Sequence, residues 1–336
     1  MMHRKQTLRD IILLILPFIY VAVLIYLPLI GPVRYPLSLY TTDADQSIAA
    51  HILWRIRLPR CVMAYCGGAL LAVGGMVFQS LFRNPLATPF TLGVSSGCSL
   101  GAALSIAALP YFSLFGFDST TLCAFGGGML ATGVVYLLTS LRRDFHSTYM
   151  LLAGIAVTLF FSSMVLLIQY TAHFHSTFHI FRWLIGGIET VSVTAMVRII
   201  PVTLVIPLII FLYGKELDLL LVGDEIAVSK GIDIRTVKFM LFLLVSIMVS
   251  CIVAICGPIA FVGMIIPHMC RLIFGPRHRK LTVLSFLWGG LFLLLCDTIA
   301  RTVTAPTELP VGLITAFLGG PFFLWILIQY GKTYHL

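Results

Sequence analysis

The sequence predicts an all-α integral membrane protein with about ten transmembrane helices. Hydrophobic residues make up 59% of the 336 and charged residues only 10%, and the mean hydropathy is +1.03. The apolar residues also fall in ten runs of roughly membrane-spanning length. A soluble chain of this size would carry roughly 25% charged residues to clothe its surface, whereas here there are 22 Lys plus Arg and 13 Asp plus Glu. The same composition excludes collagen, disordered and disulfide-scaffold classes. Ten spans of ~20 residues consume most of the chain, so residues 1–336 are expected to form a single transmembrane domain. Any site then lies in or between helices.

The first run, 11–30, follows Arg4, Lys5 and Arg9 as a signal peptide would. It is too long for one, and no small-x-small cleavage site follows, so it reads as an uncleaved span. The second covers 61–81. The third, 91–109, carries Gly93, Gly97 and Gly101 at i, i+4, i+8, a spacing that lets helix backbones approach closely. Runs at 120–141, 149–170, 192–213 and 236–256 follow, with glycine clusters at Gly126 to Gly128 and Gly186 to Gly187. The eighth, 258–274, is short and holds Pro258, Gly263 and Pro267. This suits a broken or tilted helix, which a membrane tolerates only where protein or a cavity covers the freed backbone. Runs at 281–300 and 310–330 complete the set. The eight cysteines lie within or at the ends of these runs without Cys-x-x-Cys pairing and read as small core hydrophobes.

The net charge of +9 could attract nucleic acid, but in a membrane protein it is accounted for by basic residues held at the cytoplasmic face. With the amino terminus inside, 15 of the 22 Lys and Arg fall on inner segments and seven, including Arg34, Arg55, Arg57, Arg60 and Arg301, on outer ones. Both termini are therefore expected in the cytoplasm. One inner connection is long and polar, Gly214 to Arg235. In it Leu217, Leu220 and Leu221, then Ile226 and Ala227 beyond Gly223, form apolar faces on two short helices, with Asp224 and Glu225 between them. Such a pair can lie on the bilayer or dock in a groove of a cytoplasmic partner. Five carboxylates against three basic residues disfavour anionic lipid, so a partner is expected.

Several constellations suggest chemistry. Gly93-Val94-Ser95-Ser96-Gly97 matches G-x-S-x-G, and with His268 would suggest an intramembrane serine protease. The elbow needs an entering strand, however, and these glycines continue one helical face. His173, His175 and His179 could bind a metal or haem, although a sequence loop fixes no geometry for them. No G-x-x-x-x-G-K-[ST] phosphate loop occurs, so any ATP-driven function draws on a separate subunit. A carrier driven by an ion gradient is the alternative, but such carriers hold ionisable groups near the bilayer centre. Here the charges keep to span ends, and Asp297 and Arg301 can pair at i, i+4.

From about Arg55 to Trp325 the chain closely resembles the permease family of ABC importers for iron chelates (siderophores), haem and cobalamin. The motifs are Arg57-Leu58-Pro59-Arg60, Arg83-Asn84-Pro85-Leu86-Ala87, Leu92 to Gly97, Leu152-Ala153-Gly154, the Leu217 to Gly231 helix pair, Phe261-Val262-Gly263 with Pro267-His268 and Arg271, and Glu308 to Gly312. The family usually has Leu-Gly-Glu where Val222-Gly223-Asp224 stands here. The resemblance implies the type II ABC importer permease architecture in a bacterial inner membrane. It implies a second permease subunit, identical or paralogous, two cytoplasmic ATPase subunits that use ATP and Mg, and an extracytoplasmic substrate-binding protein. The chain itself would bind no cofactor and perform no covalent chemistry. By the same resemblance, Asn84, Leu86, Ser147 and Thr148 line an inner gate. Leu217, Leu220, Leu221, Gly223, Asp224, Glu225, Ala227 and Gly231 couple to the ATPase, and Arg57, Arg60 and Arg301 dock the binding protein.

Overall fold

The structure, a computed structural model, describes residues 20–33, 35–44, 47–114, 116–141, 147–188 and 192–333. The amino-terminal part of the first expected span (11–19), Arg4, Lys5, Arg9, Arg34 and the pair Arg142 and Arg143 lie outside the described residues. The helices are α1 (Tyr20–Leu29), α2 (Ile48–Leu81), α3 (Val94–Ala108), α4 (Ser119–Ser140), α5 (Ser147–Thr171), α6 (Phe174–Ile185), α7 (Val193–Leu212), α8 (Gly214–Val222), α9 (Asp224–Ser229), α10 (Ile234–Cys256), α11 (Val262–Phe274), α12 (His278–Thr302) and α13 (Val311–Thr333). A two-stranded antiparallel ribbon, β1 (Ser113–Leu114) and β2 (Phe117–Asp118), pairs Ser113 with Asp118. Among the described residues six helices are long and apolar enough to cross a membrane, and α1, α3, α11 and α13 supply four shorter apolar ones. These match the ten expected runs.

Helix starts follow local chemistry. Ser47, Asp118 and Ser192 each accept a hydrogen bond from the backbone N–H three residues on, the usual side-chain cap for otherwise orphaned donors. Two helical stretches escape the hydropathy pattern. Residues 48–57 extend α2 through a π-turn at Leu53–Arg57, where the Leu58 N–H bonds to Leu53 O five residues back. Pro59 has no N–H to give, and the ladder widens beside it. The amphipathic helix α6 occupies what the sequence reads as a loop.

At the centre lies α2, with 89% of its most apolar window buried against 22% for α5. Lipid tails are as apolar as leucine, so close packing rather than hydrophobicity decides which helix goes inside. A methyl group on Gly68 would lie 2.1 Å from Gly289 O of α12, and one on Gly75 would lie 1.8 Å from Gly263 O of α11. The glycine stripe of α3 does the same against α4, where methyls at Gly97 and Gly101 would meet Gly127 O and Cys123 O at 2.3 and 2.0 Å.

The break expected in the eighth span is present: α11 has only 13 residues and follows Phe261, whose φ is +68°. Pro267 cannot bond back to Gly263 O, but the buried Gln79 Nε2 of α2 donates to Gly263 O at 3.2 Å and to Met264 O at 3.3 Å. Arg271 Nη1 in turn donates to Gln79 Oε1 at 3.3 Å. A neighbouring helix thus covers the backbone that the proline frees.

Gly75→Ala and Gly68→Ala should each cost about 3 kcal/mol or more through backbone overlap, whereas Gly126, with nothing within 4 Å of an added methyl, should accept Ala freely. Thermal unfolding after detergent extraction, with the monodisperse fraction as readout, checks this. Equal behaviour of all three variants would contradict the close-packing account.

Candidate functional site

One end of the bundle gathers a polar cluster around the helix pair α8–α9. Leu217 and Leu220 of α8 and Ala227 of α9 are fully buried against the chain's own helices, and α8 packs on the ends of α2 and α12. Arg83, just beyond α2 with a φ of +47°, donates from Nε to Leu220 O at 2.9 Å and pairs through Nη2 with Asp224. Lys238 of α10, almost fully buried, reaches Asp224 Oδ2 at 2.7 Å and Ser147 Oγ at 3.1 Å. Ser147 Oγ donates to Leu81 O at 2.8 Å. Asp224 therefore serves two cations, and through Lys238 the helix pair is tied to the first residue of α5. A second tie joins α8 to α12 and α2. Asp218 Oδ1 accepts from the His278 backbone N–H and from Nδ1, at 2.9 and 2.6 Å, and His278 Nε2 lies 2.5 Å from Ser80 Oγ.

The expected gate residues meet this cluster unequally. Asn84 Oδ1 accepts from the Leu86 N–H at 2.9 Å, closing the turn after α2, and both side chains are half-buried. Ser147 is committed to Leu81 and Lys238, whereas Thr148 is exposed. The expected coupling residues need correction. Leu217, Leu220 and Ala227 face inward, because an apolar stripe at i, i+3 seats the helix pair on its own bundle. Leu221, Gly223 and Asp224 are half-buried, Glu225 and Gly231 exposed. The exposed apolar side chains are Val222, Ile226 and Val228, of which Val222 and Val228 were not among the expected contacts with a partner.

At the opposite end, the expected docking arginines are buried, contrary to a free charged surface. Arg60 Nε lies 2.9 Å from Asp297 Oδ1, and Arg60 Nη1 lies 2.5 Å from Glu308 Oε2. Arg301 Nε approaches Asp297 Oδ2 at 3.0 Å, in ion-pair range although its N–H is not aimed at that oxygen, and Nη1 donates to Ile30 O. Arg57 donates to Leu29 O and Val33 O and lies over the Tyr35 ring. Buried charge must be paired or hydrogen-bonded. Arg60 and Arg301 share the carboxylates of Asp297 and Glu308, Arg57 is held by backbone carbonyls, and the three arginines with two carboxylates leave one net positive charge. Among the described residues the exposed arginines at this end are Arg55 and Arg182.

The serine motif lies at the start of α3, where Ser96 Oγ donates to Gly93 O and Ser99 Oγ to Ser95 O. His268 of α11 packs against Phe322. All eight cysteines are free and buried or half-buried. Sequence reasoning missed Lys238, Asp218, His278 and Gln79. The available signal was an ionisable or amide group set inside or at the edge of an apolar run.

The FecCD transport family matches residues 14–329. The hemin transport system permease protein HmuU of Yersinia pestis is 36% identical over 87% of this chain and 87% of its own length. The Fe(3+) dicitrate transport system permease protein FecD of Escherichia coli is 36% identical over 83% of this chain and 86% of its own. Among solved structures, an inward-facing conformation of a transporter assigned to the metal-chelate ABC type aligns with a TM-score of 0.83 at 29% identity, over 95% of this chain and 99% of that one.

The Asp224 cluster makes a signed prediction. Asp224→Asn strands the buried Lys238 and should lower the thermal unfolding midpoint clearly, whereas Asp224→Asn combined with Lys238→Met should recover much of the loss, as expected when the penalty is an unpaired buried charge. Additive losses in the double variant would refute the pairing.

Proposed function

The chain belongs to the FecCD transport family, and from that premise we propose that it is the permease subunit of an ATP-driven importer. It passes a bulky metal chelate (an iron siderophore, haem or a corrinoid) across a bacterial inner membrane with both termini inside. ATP and Mg are used by two cytoplasmic ATPase subunits, and an extracytoplasmic binding protein delivers the substrate. A second permease, identical or paralogous, completes the path. The observation that carries this reading is the helix pair α8–α9. Its inner face is locked to the bundle by Asp218 and Asp224, while Val222, Ile226 and Val228 remain uncovered. An exposed apolar face beside carboxylates suits a groove on a soluble partner rather than an anionic membrane surface.

In this reading the passage needs weak walls, since tight ligands would hold a substrate that must leave. Asn84, Leu86, Ser147 and Thr148 supply small polar and apolar groups at the inner mouth. They can close it without attracting ions. At the outer end, the single net charge of the Arg57–Arg60–Arg301 cluster, with exposed Arg55, favours an acidic patch on the binding protein by steering.

Gentle purification of the tagged protein followed by mass spectrometry should recover an ATPase subunit, and pH-driven uptake by the chain alone would favour a gradient carrier instead. Val222→Asp and Ile226→Asp should reduce ATPase co-purification roughly tenfold or more, as an unpaired charge in a buried contact costs, without altering the permease's own unfolding midpoint. Unchanged assembly and transport would remove the helix pair from the coupling role.

Thr148→Cys should cross-link to the second permease in one nucleotide state and resist it in another, because a disulfide requires Cα atoms within ~7 Å. If the partner is a paralogue, its matching loop carries the second cysteine. Absence of cross-linking in every nucleotide state of a transporting complex would leave these residues as ordinary turns.

A further inference from the structure

The amphipathic helix α6 converts the histidine-rich stretch into fixed geometry. His175 and His179 stand one turn apart, both exposed, with their Nε2 atoms 3.1 Å from each other and their rings nearly perpendicular. The helix beneath them is anchored. Ile180 is buried, and just past the helix end the Gly187 N–H donates to Cys256 O at 2.8 Å. His179 also borders a cavity of ≈ 580 Å³, which Asp118, Arg182 and Trp183 line as well.

We propose that His175 and His179 form a two-imidazole site for a divalent transition metal that has two adjacent open coordination positions. A metal placed at the ~2.0–2.1 Å usual for imidazole nitrogen, with the nitrogens held 3.1 Å apart, subtends roughly 95–102°. This lies between the right angle of octahedral or square-planar coordination and the tetrahedral angle. Imidazole suits zinc, copper and nickel, and histidines at i, i+4 on one helix face are a recurrent pair of metal ligands. The two ring nitrogens lie within hydrogen-bond distance of each other, and a bound metal replaces that contact. Among the described residues no third His, Cys, Asp or Glu joins the pair, so the remaining positions are open to water or to ligands the metal brings with it. The site thus accepts either a free ion or a metal presented inside a chelate. It is a property of the helix and holds whichever cargo the transporter carries.

Full-length protein lacking a polyhistidine tag, reconstituted in lipid nanodiscs, would be titrated with aqueous Ni²⁺ and separately with Ni²⁺–nitrilotriacetate, which leaves two adjacent positions free. One metal per chain should bind. His175→Ala and His179→Ala should each weaken binding by about tenfold or more, since losing one arm removes the chelate advantage, and His173→Ala should change little. Binding of the chelated nickel assigns the site to a metal held in a ligand, and binding of the aqueous ion alone assigns it to free metal. No binding to the unaltered protein, or affinity unaffected by either His175→Ala or His179→Ala, would overturn the site. So would a loss from His173→Ala as large as from the other two.

Discussion

Backbone contact along α2 is the constraint on which the rest of the structure depends. At Gly68 and Gly75 the helix has no room for a methyl group against α12 and α11. In a bilayer, where apolar burial gains nothing over lipid, such contacts and the hydrogen bonds they permit hold helices together. Gln79 illustrates this. It lies one turn beyond Gly75, on the same face, and only the close approach of α2 to α11 brings its amide to the carbonyl that Pro267 leaves free.

The same helix carries both polar clusters. Arg60, just past the π-turn of α2, joins Asp297 and Glu308, while Ser80 and Arg83 at and beyond its end join His278, Leu220 and Asp224. Twenty-three residues separate Arg60 from Arg83, about 35 Å at the helical rise, slightly more than the ~30 Å hydrocarbon core. Charges therefore sit where the membrane ends, and α2 acts as a strut between them. In the outer cluster Arg60 and Arg301 are ion-paired and Arg57 is satisfied by carbonyls, because three guanidiniums beneath 10% exposure would otherwise carry the full desolvation cost.

The ten apolar runs were legible because hydropathy reports contact with lipid or protein interior alike. The glycine stripe of α3 was legible because spacing alone encodes close approach. What hydropathy cannot do is tell the two apolar environments apart. Leu220 and Val222 read alike in sequence, yet one is buried under the bundle and the other faces out. Arg60 reads as surface charge because its partners Asp297 and Glu308 are more than two hundred residues away in the chain, and Arg57 because it is held by the backbone carbonyls of Leu29 and Val33, which carry no sequence signal. Only the Arg301–Asp297 pair is local enough to read. The α6 helix was hidden by its mixed composition, and only its backbone brings His175 and His179 together.

The placement of Asp224 gives the proposed coupling a physical route. Its carboxylate is shared by Arg83, in the turn directly after the strut, and Lys238, which belongs to α10 and also holds Ser147. Any displacement of α9 must stretch both pairs or carry both helices with it. The strut is buried and pinned by backbone contacts, so it resists. By contrast α5 is the least buried of the long apolar helices, and its start is attached to the rest partly through Ser147 itself. On the reading proposed above, movement imposed on the helix pair is therefore relayed preferentially to the beginning of α5, where Thr148 is exposed. A partner that hydrolyses ATP would need to move only this corner, leaving the α2 core and its outer ion pairs undisturbed.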